Sequence, residues 1–277
     1  MNEVAFDFSF IKNNYFSDEA FKTLRTNFLF CDPEIKTVLL TSSNISEGKT
    51  TISVGLAFSL AEMGKKVLLL DTDLRNSSIA RRFASGHGSM GLSQYLSGQA
   101  KLEEVLFHTS QKGLDIIFAG QFPPNPVELL GSSSMKKLLA AMREEYDYVL
   151  LDSAPLGLVV DSAVTAAFCD GAIIVLSAGQ TRARTALEVK EQLERSGCHI
   201  LGTILNCIES EKRFGRKEYS YYYSHNSEAP KPKTLRHRVK EILSKLDGLR
   251  KPQADKAPEE KKAAEGSDAT EADTKQE

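Results

Sequence analysis

The sequence has few of the features that mark membrane-spanning, secreted or nucleic-acid-binding proteins. No apolar run approaches the roughly 18 residues that a transmembrane helix needs, and the N-terminus MNEVAFDFSF has no basic region before an apolar stretch. The formal net charge of the 277 residues is only −2, which argues against broad nucleic-acid binding by the whole chain. We therefore expect a cytoplasmic protein that does not bind nucleic acid.

Cysteine is also scarce. The four cysteines form no CxxC pair and have no nearby histidine at ligand spacing. Three of them lie in apolar-rich contexts, which favours buried, reduced thiols over disulfides or a metal site. With 41% hydrophobic and 26% charged residues, the composition is that of an ordinary globular protein.

Short apolar runs alternate with segments of helix length. The runs are rich in Val, Ile and Leu without polar alternation, as in parallel strands that are covered on both faces. They lie at 37–41, 66–71, 114–119, 148–152, 172–176 and 200–206. Helices are predicted over 49–63 and 181–196, and Gly64 and Gly197 follow them where a left-handed residue ends a helix. This alternation predicts an α/β fold with a doubly wound, mostly parallel sheet.

Composition changes along the chain and predicts five regions. They are an N-terminal arm at 1–16, an α/β domain at 17–210, a tyrosine-rich segment at 211–230, a basic helix at 231–250 and a disordered tail at 251–277. Within the fourth region, residues 233–249 carry aliphatic residues at helical spacing among lysines and arginines. Such a helix can lie on a membrane surface, dock on a partner or pack on its own domain.

The stretch TSSNISEGKTT, residues 41–51, follows the first predicted strand and leads into a helix. It matches the phosphate-loop pattern G-x-x-x-x-G-K-[ST], except that Ser43 replaces the first glycine. In such loops the backbone N–H groups and the helix N-terminus bind phosphate oxygens. Lys49 is expected to reach the β- and γ-phosphates, and the Thr50 hydroxyl to ligate Mg²⁺. The residues expected to contact the nucleotide here are Ser46, Glu47, Gly48, Lys49, Thr50 and Thr51.

Carboxylates follow two other predicted strands. KVLLLDTDLR ends its apolar run at Asp71, with Asp73 two residues on, and YVLLDSAP ends at Asp152. Ligands of open α/β sheets bind at the carboxyl ends of the strands, so these acids are expected to converge on the phosphate loop. Asp73 and Asp152 are expected to help hold Mg²⁺.

The combination of these motifs resembles the bacterial tyrosine kinases of the capsular and exopolysaccharide type, in their stand-alone cytoplasmic form. The matching pieces are TSSNISEGKTT as Walker A, VLLLDTDLR as Walker A′ and VLLDSAP as Walker B, together with GLSQYLSG, GQFPPNPVELL and a terminal tyrosine cluster. The resemblance spans residues 17–225. It implies a P-loop NTPase fold with a Min/Par-like core and a flexible C-terminal tail. It also implies phosphoryl transfer from Mg-ATP to protein tyrosines, regulating polysaccharide synthesis and export.

Catalytic roles follow from the general chemistry of phosphoryl transfer. Lys49 and Mg²⁺, held by Thr50 and by Asp73 or Asp152, would neutralise charge on the transferring phosphate. Asp71 is the candidate to orient the incoming tyrosine hydroxyl and to take its proton. Arg75 either orients a phosphate or an acid, or forms a plain surface ion pair. The family resemblance implies that Asn206 contacts the base.

The stretch EYSYYYSHN, residues 218–226, is interpreted as the substrate segment. Its candidate phosphorylation sites are Tyr219, Tyr221, Tyr222 and Tyr223. Family members carry an E-x-x-R-x-x-R helix that helps to build a ring of subunits. The corresponding residues here are Glu19, Lys22 and Arg25, so the middle arginine is lysine and its bidentate fork is lost. In a ring, one subunit's tail would reach the next subunit's site, and phosphorylation would loosen that docking by charge repulsion.

The resemblance also implies partners. They are a transmembrane activator that recruits the kinase to the inner face of the membrane, further copies of the chain, and a cognate tyrosine phosphatase. The helix at 233–249 is a candidate for peripheral membrane contact.

Two other functions fit parts of the sequence. Min/Par-type ATPase switches share the core, but their phosphate loop carries a second lysine five residues before the catalytic one, where this chain has Asn44. The other alternative is a nucleotide-binding adaptor without kinase activity, in which the tyrosine cluster is a recognition motif.

Overall fold

The computed structural model describes residues 2–12, 15–85 and 90–208. The strands in these residues are Asn2–Phe6 (β1), Thr37–Ser42 (β2), Val67–Asp71 (β3), Ala84–Ser85 (β4), Leu106–Thr109 (β5), Leu114–Ile117 (β6), Tyr148–Asp152 (β7), Gly171–Ser177 (β8) and Ile200–Asn206 (β9). The helices are Ser9–Lys12 (α1), Tyr15–Leu29 (α2), Lys49–Glu62 (α3), Ile79–Phe83 (α4), Leu92–Leu96 (α5), Leu102–Val105 (α6), Pro126–Leu130 (α7), Ser133–Glu145 (α8), Asp161–Ala166 (α9) and Ala183–Arg195 (α10).

The described strands form one sheet in the order β4-β1-β5-β6-β3-β7-β2-β8-β9. From β6 to β9 every neighbouring pair is parallel, and the antiparallel pairs are β1 with β4 and β5 with β6. The prediction of a doubly wound, mostly parallel sheet is confirmed. All six predicted strands are present as β2, β3, β6, β7, β8 and β9.

The central strands are buried on both faces because helices cover the sheet on each side. Leu40 packs in a cluster with residues of α2 and α3, whereas its neighbour Leu39 packs in a second cluster with residues of α8 and α10. Successive strand residues point to opposite faces, so a strand with core on both sides must be apolar at every position. This explains the continuous apolar runs of the sequence.

Two glycines explain how α3 ends and how closely it packs against α2. Gly64 has φ 82° just beyond the helix, in the left-handed region expected for a residue that ends a helix. Within the helix, a Cβ on Gly55 would lie 2.1 Å from the Phe21 ring of α2. The Arg25 guanidinium of α2 also donates to the Ser59 carbonyl of α3 at 2.8 Å. Helix α2 therefore lies in close contact with the helix that begins at Lys49.

Three strands of the sheet were not identified from the sequence, namely β1, β4 and β5. Strand β1 pairs with β5 and β4, and Phe8 and Ile11 beyond it are buried in the core. Residues assigned above to an N-terminal arm thus contribute to the sheet and the core, and the boundary at residue 17 falls inside α2. The boundary at residue 210 and the three regions after it lie outside the described residues.

Candidate active site

The phosphate loop runs from Ser43 to Gly48, between β2 and α3. Ser46 and Gly48 lie in the left-handed region, with φ 62° and 88°. A Cβ on Gly48 would come within 2.0 Å of the amide nitrogen of the Asn206 side chain, and a residue with a Cβ is strained at this φ. The first intrahelical hydrogen bond runs from the Ile52 N–H to the Gly48 carbonyl at 3.0 Å. The N–H groups that precede it are those with which a helix N-terminus binds an anion.

Lys49 is buried and paired with Asp152. Its Nζ lies 2.7 Å from Asp152 Oδ1 and 3.5 Å from Thr50 Oγ1. The Ser53 hydroxyl, one helical turn after Lys49, donates to the same Asp152 oxygen at 2.9 Å. Two charges removed from water need such additional hydrogen bonds to be tolerated. The predicted phosphate-binding lysine and the predicted Walker B aspartate are therefore in direct contact.

Asp71 lies beside Asp152, because the two residues are register partners at the ends of β3 and β7. Burial, reinforced by the neighbouring Asp152 charge, raises the pKa of Asp71 from 3.8 to about 8. Asp71 Oδ2 accepts a hydrogen bond from the Ser77 hydroxyl at 2.5 Å. Asp71 is thus a carboxyl that holds a proton near neutral pH, next to a charged ion pair.

Asp73 completes the acidic group at this edge of the sheet. Burial raises its pKa, and its carboxylate accepts the Asn76 N–H at 2.9 Å. The Ser78 hydroxyl donates to Thr50 Oγ1 at 3.2 Å, which ties the loop after β3 to the start of α3. Within residues 2–12, 15–85 and 90–208, no three acidic, histidine or cysteine side chains form a preformed metal site. Any cation here would need further oxygen ligands from phosphate or water.

The proton on Asp71 should make the stability of the ligand-free protein depend on pH. Between about pH 4 and pH 8 the folded chain keeps this proton while the unfolded chain has lost it, so stability falls as the pH rises. Asp71→Asn is neutral at every pH and removes this loss. We expect the variant to match the wild type near pH 4 and to exceed it by at least about 1 kcal/mol at pH 8. Urea unfolding across this range is the measurement, and parallel stability curves for the two proteins would contradict the raised pKa.

Arg75 forms a bidentate ion pair rather than a free surface charge. Its Nε and Nη2 donate to the two carboxylate oxygens of Asp161 at 2.8 and 3.1 Å, and the Asp161 side chain is almost fully buried. This pair joins the loop after β3 to the start of α9. The structure shows Arg75 in an ion pair whose partner is a buried carboxylate, and a role of Arg75 towards a phosphate stays a prediction.

Asn206 lies at the phosphate loop. Its amide Nδ2 donates to the Glu47 carbonyl at 3.0 Å. The Glu47 side chain is buried, with its carboxylate bound to loop N–H groups. A contact of Asn206 with a base stays a prediction.

The candidate oligomer residues lie on α2 and make contacts within the chain. Lys22 Nζ lies 2.7 Å from Asp18 and 3.0 Å from Glu19, while Arg25 binds the Ser59 carbonyl. Their role between subunits stays a prediction. The tyrosine cluster at 219–223 and the basic segment at 233–249, predicted to be a helix, lie outside the described residues.

Several side chains of the site were missed by motif matching. The clearest are Ser53, Ser77, Asp161 and Thr181. Ser53 follows Lys49 at helical spacing, so it was the one with a usable sequence signal.

Among the residues that the structure describes, no helix is long and apolar enough to cross a membrane.

Comparison with known proteins places the chain among nucleotide-binding proteins. Residues 39–194 match the family described as AAA domain. The chain is 40% identical over 207 residues to tyrosine-protein kinase CpsD of Streptococcus agalactiae, covering 74% of this chain and 90% of that protein.

Two solved structures are also similar. The kinase domain of Escherichia coli tyrosine kinase ETK aligns with a TM-score of 0.69 and 32% identity, over 76% of this chain and 83% of that one. The septum site-determining protein MinD of Pyrococcus horikoshii, complexed with Mg-ADP, aligns with a TM-score of 0.53 and 26% identity, over 66% of this chain and 72% of that one.

Proposed function

The chain belongs to the bacterial tyrosine-protein kinases and has their P-loop nucleotide-binding fold, and from this we propose that it transfers the γ-phosphoryl group of ATP to tyrosines of its own 219–223 cluster. The observation that carries the proposal is the convergence of Lys49, at the start of α3, with Asp71 and Asp152, at the ends of the neighbouring strands β3 and β7. It is the arrangement that phosphoryl transfer to a hydroxyl requires: a cation for phosphate, an acid for a metal and a proton acceptor.

The donor set at the site fits Mg²⁺. Asp73, Asp152 and the Thr50 hydroxyl offer hard oxygen ligands, and Mg²⁺ is bound by one or two carboxylates together with phosphates and water. Burial is the main cause of the raised pKa values of Asp71 and Asp73, and neighbouring carboxylates add to it; a bound cation would favour the charged forms of these side chains. When bound, Mg²⁺ would withdraw charge from the β- and γ-phosphates.

The chain's own residues have separate roles in binding the phosphates, accepting the proton and positioning the loop. The loop N–H groups and Lys49 hold the phosphates, and Lys49 must leave or share its contact with Asp152 to do so. Asp71, buried beside this pair, accepts the proton of the tyrosine hydroxyl once its own proton is lost. The Arg75–Asp161 pair keeps the loop that carries Asp73 in place.

The proposed acceptors are tethered to the domain that modifies them. Chain continuity from Asn206 to the cluster gives a high effective concentration of tyrosine, either at the same site or at that of a neighbouring subunit. We place the protein in capsular or exopolysaccharide synthesis, with a transmembrane activator that recruits it to the membrane and a phosphatase that reverses the modification. Each added phosphate brings about 1.5 to 2 negative charges, which favours dispersal of any ring.

The test is intact-mass analysis of the full chain after incubation with Mg-ATP, followed by mapping of the phosphorylated residues. The matched variant replaces Tyr219, Tyr221, Tyr222 and Tyr223 by Phe. We expect stepwise addition of phosphate to the wild type and its loss from the variant. The assay is repeated with cytosolic segments of candidate activators.

Other results would overturn the proposal. ATP hydrolysis without phosphotyrosine under any activator would indicate a Min/Par-type switch. Undiminished phosphorylation of the four-Phe variant would place the acceptor tyrosines elsewhere.

A further inference from the structure

The phosphate loop contains a buried acid, Glu47, directly before Gly48 and Lys49. A carboxylate that faced the bound phosphates would repel them, since like charges at contact distance oppose each other. The direction in which Glu47 points therefore decides whether it weakens or supports the site.

The Glu47 carboxylate points into its own loop. Its Oε2 accepts the N–H groups of Ser43 and Asn44 at 2.7 and 3.0 Å. Its Oε1 accepts the Asn44 amide at 3.3 Å and the Thr181 hydroxyl. Four donors thus satisfy this buried charge, as burial of a carboxylate requires.

Thr181 connects this carboxylate to another part of the fold. It lies in the turn between β8 and α10, and its hydroxyl oxygen also accepts the Ser177 N–H at 2.8 Å. On the other side of the loop the Asn206 amide binds the Glu47 carbonyl. Glu47 therefore connects the phosphate loop to the turn after β8 through its side chain and to the end of β9 through its backbone carbonyl.

We propose that Glu47 is a positioning residue for the nucleotide: its carboxylate fixes the loop from Ser43 to Gly48 and anchors it through Thr181, without touching the nucleotide. The inference rests on the proposed nucleotide site and changes the role expected of Glu47 from a contact to an internal support. The Glu47 carboxylate also holds the Asn44 side chain within the phosphate loop. The N–H groups at the start of α3 then face the phosphates before any ligand arrives, which lowers the cost of binding.

The experiment is calorimetric titration of the full chain with Mg-ADP, which requires no kinase activity. Glu47→Ala removes the acceptor of two loop N–H groups, and we expect its Kd to rise at least about tenfold. Glu47→Gln keeps an oxygen for both backbone N–H groups but turns a donor NH2 towards the Thr181 hydroxyl, so its Kd should lie between those of the wild type and Glu47→Ala. The matched control is Glu62→Ala, which removes an exposed carboxylate at the far end of α3, the helix that follows the loop, and should leave the Kd unchanged.

A second variant tests the anchor without altering the loop. Thr181→Val keeps the size of the side chain and removes its hydroxyl, so the Kd should rise. It should have no further effect in the Glu47→Ala background, because residues that act through one contact are not additive. Urea unfolding of each variant separates loss of loop geometry from loss of the fold. If Glu47→Ala does not fold, Thr181→Val carries the test.

The outcomes separate this inference from the proposed function. Unchanged or tighter Mg-ADP binding by Glu47→Ala would overturn it, and tighter binding would mean that the carboxylate faces the phosphates. If Thr181→Val alone is available, an unchanged Kd would overturn it. Failure of the wild type to bind Mg-ADP would instead overturn the nucleotide site itself.

Discussion

Replacing Lys49 by Met is expected to lower the rate of tyrosine phosphorylation at least about a thousandfold. Lys49 is the one lysine or arginine in the stretch TSSNISEGKTT, residues 41–51, and its ammonium lies 2.7 Å from Asp152 at the end of β7. Phosphoryl transfer depends mostly on positioning and charge stabilisation, so the loss of this charge removes a principal contribution. The measurement is the initial rate of phosphotyrosine formation with saturating Mg-ATP.

The matched control is Lys190→Met, the same substitution at a lysine on α10 that is half-exposed and pairs with Glu194. Its rate should equal that of the wild type. Unfolding of Lys49→Met is measured in parallel, since the variant leaves Asp152 without its cation. A folded Lys49→Met protein that retains more than about a tenth of the wild-type rate would contradict the assigned role.

Asp152→Ala is expected to destabilise the ligand-free protein by about 3–5 kcal/mol. The substitution leaves the Lys49 ammonium buried without its carboxylate and takes the acceptor from the Ser53 hydroxyl. Removing the Lys49 charge as well should restore much of the lost stability, because the cost comes from a buried charge without a partner. We therefore expect the double variant with Lys49→Met to be more stable than Asp152→Ala alone. Urea unfolding at one pH gives both values.

The reference for this prediction is an exposed ion pair. Arg184 and Glu188 pair on the surface of α10, where their side chains are 89% and 53% exposed. Glu188→Ala should cost less than about 1 kcal/mol, because water screens such pairs. An Asp152→Ala effect no larger than that of Glu188→Ala would show that the Lys49–Asp152 contact contributes little to the fold.

The sequence was most informative where one requirement determines the residue type. Strands β2, β3 and β7 are buried on both faces, so their apolar runs were visible and their carboxyl ends could be located. The alignment of Asp71 with Asp152 follows from these ends. Gly48 of the phosphate loop was recognisable because its φ of 88° favours glycine.

Pairing between distant segments was not visible in the same way. Strands β1, β4 and β5 are short, and their place in the sheet depends on contacts with one another rather than on a local pattern. The Arg75–Asp161 pair joins residues 86 positions apart, and no spacing rule connects them. The direction of the Glu47 carboxylate was equally hidden, since the motif gives a position and not an orientation.

The close contact between α2 and α3 links two properties that are usually measured separately. The helix with Glu19, Lys22 and Arg25 rests on Gly55 and Ser59 of the helix whose first residue is Lys49. If a neighbouring subunit binds α2, any shift of α2 is transmitted to α3, the helix that begins with the proposed phosphate-binding residue Lys49. Thermodynamic reciprocity then requires that the nucleotide strengthen or weaken subunit association by the factor by which association changes nucleotide affinity.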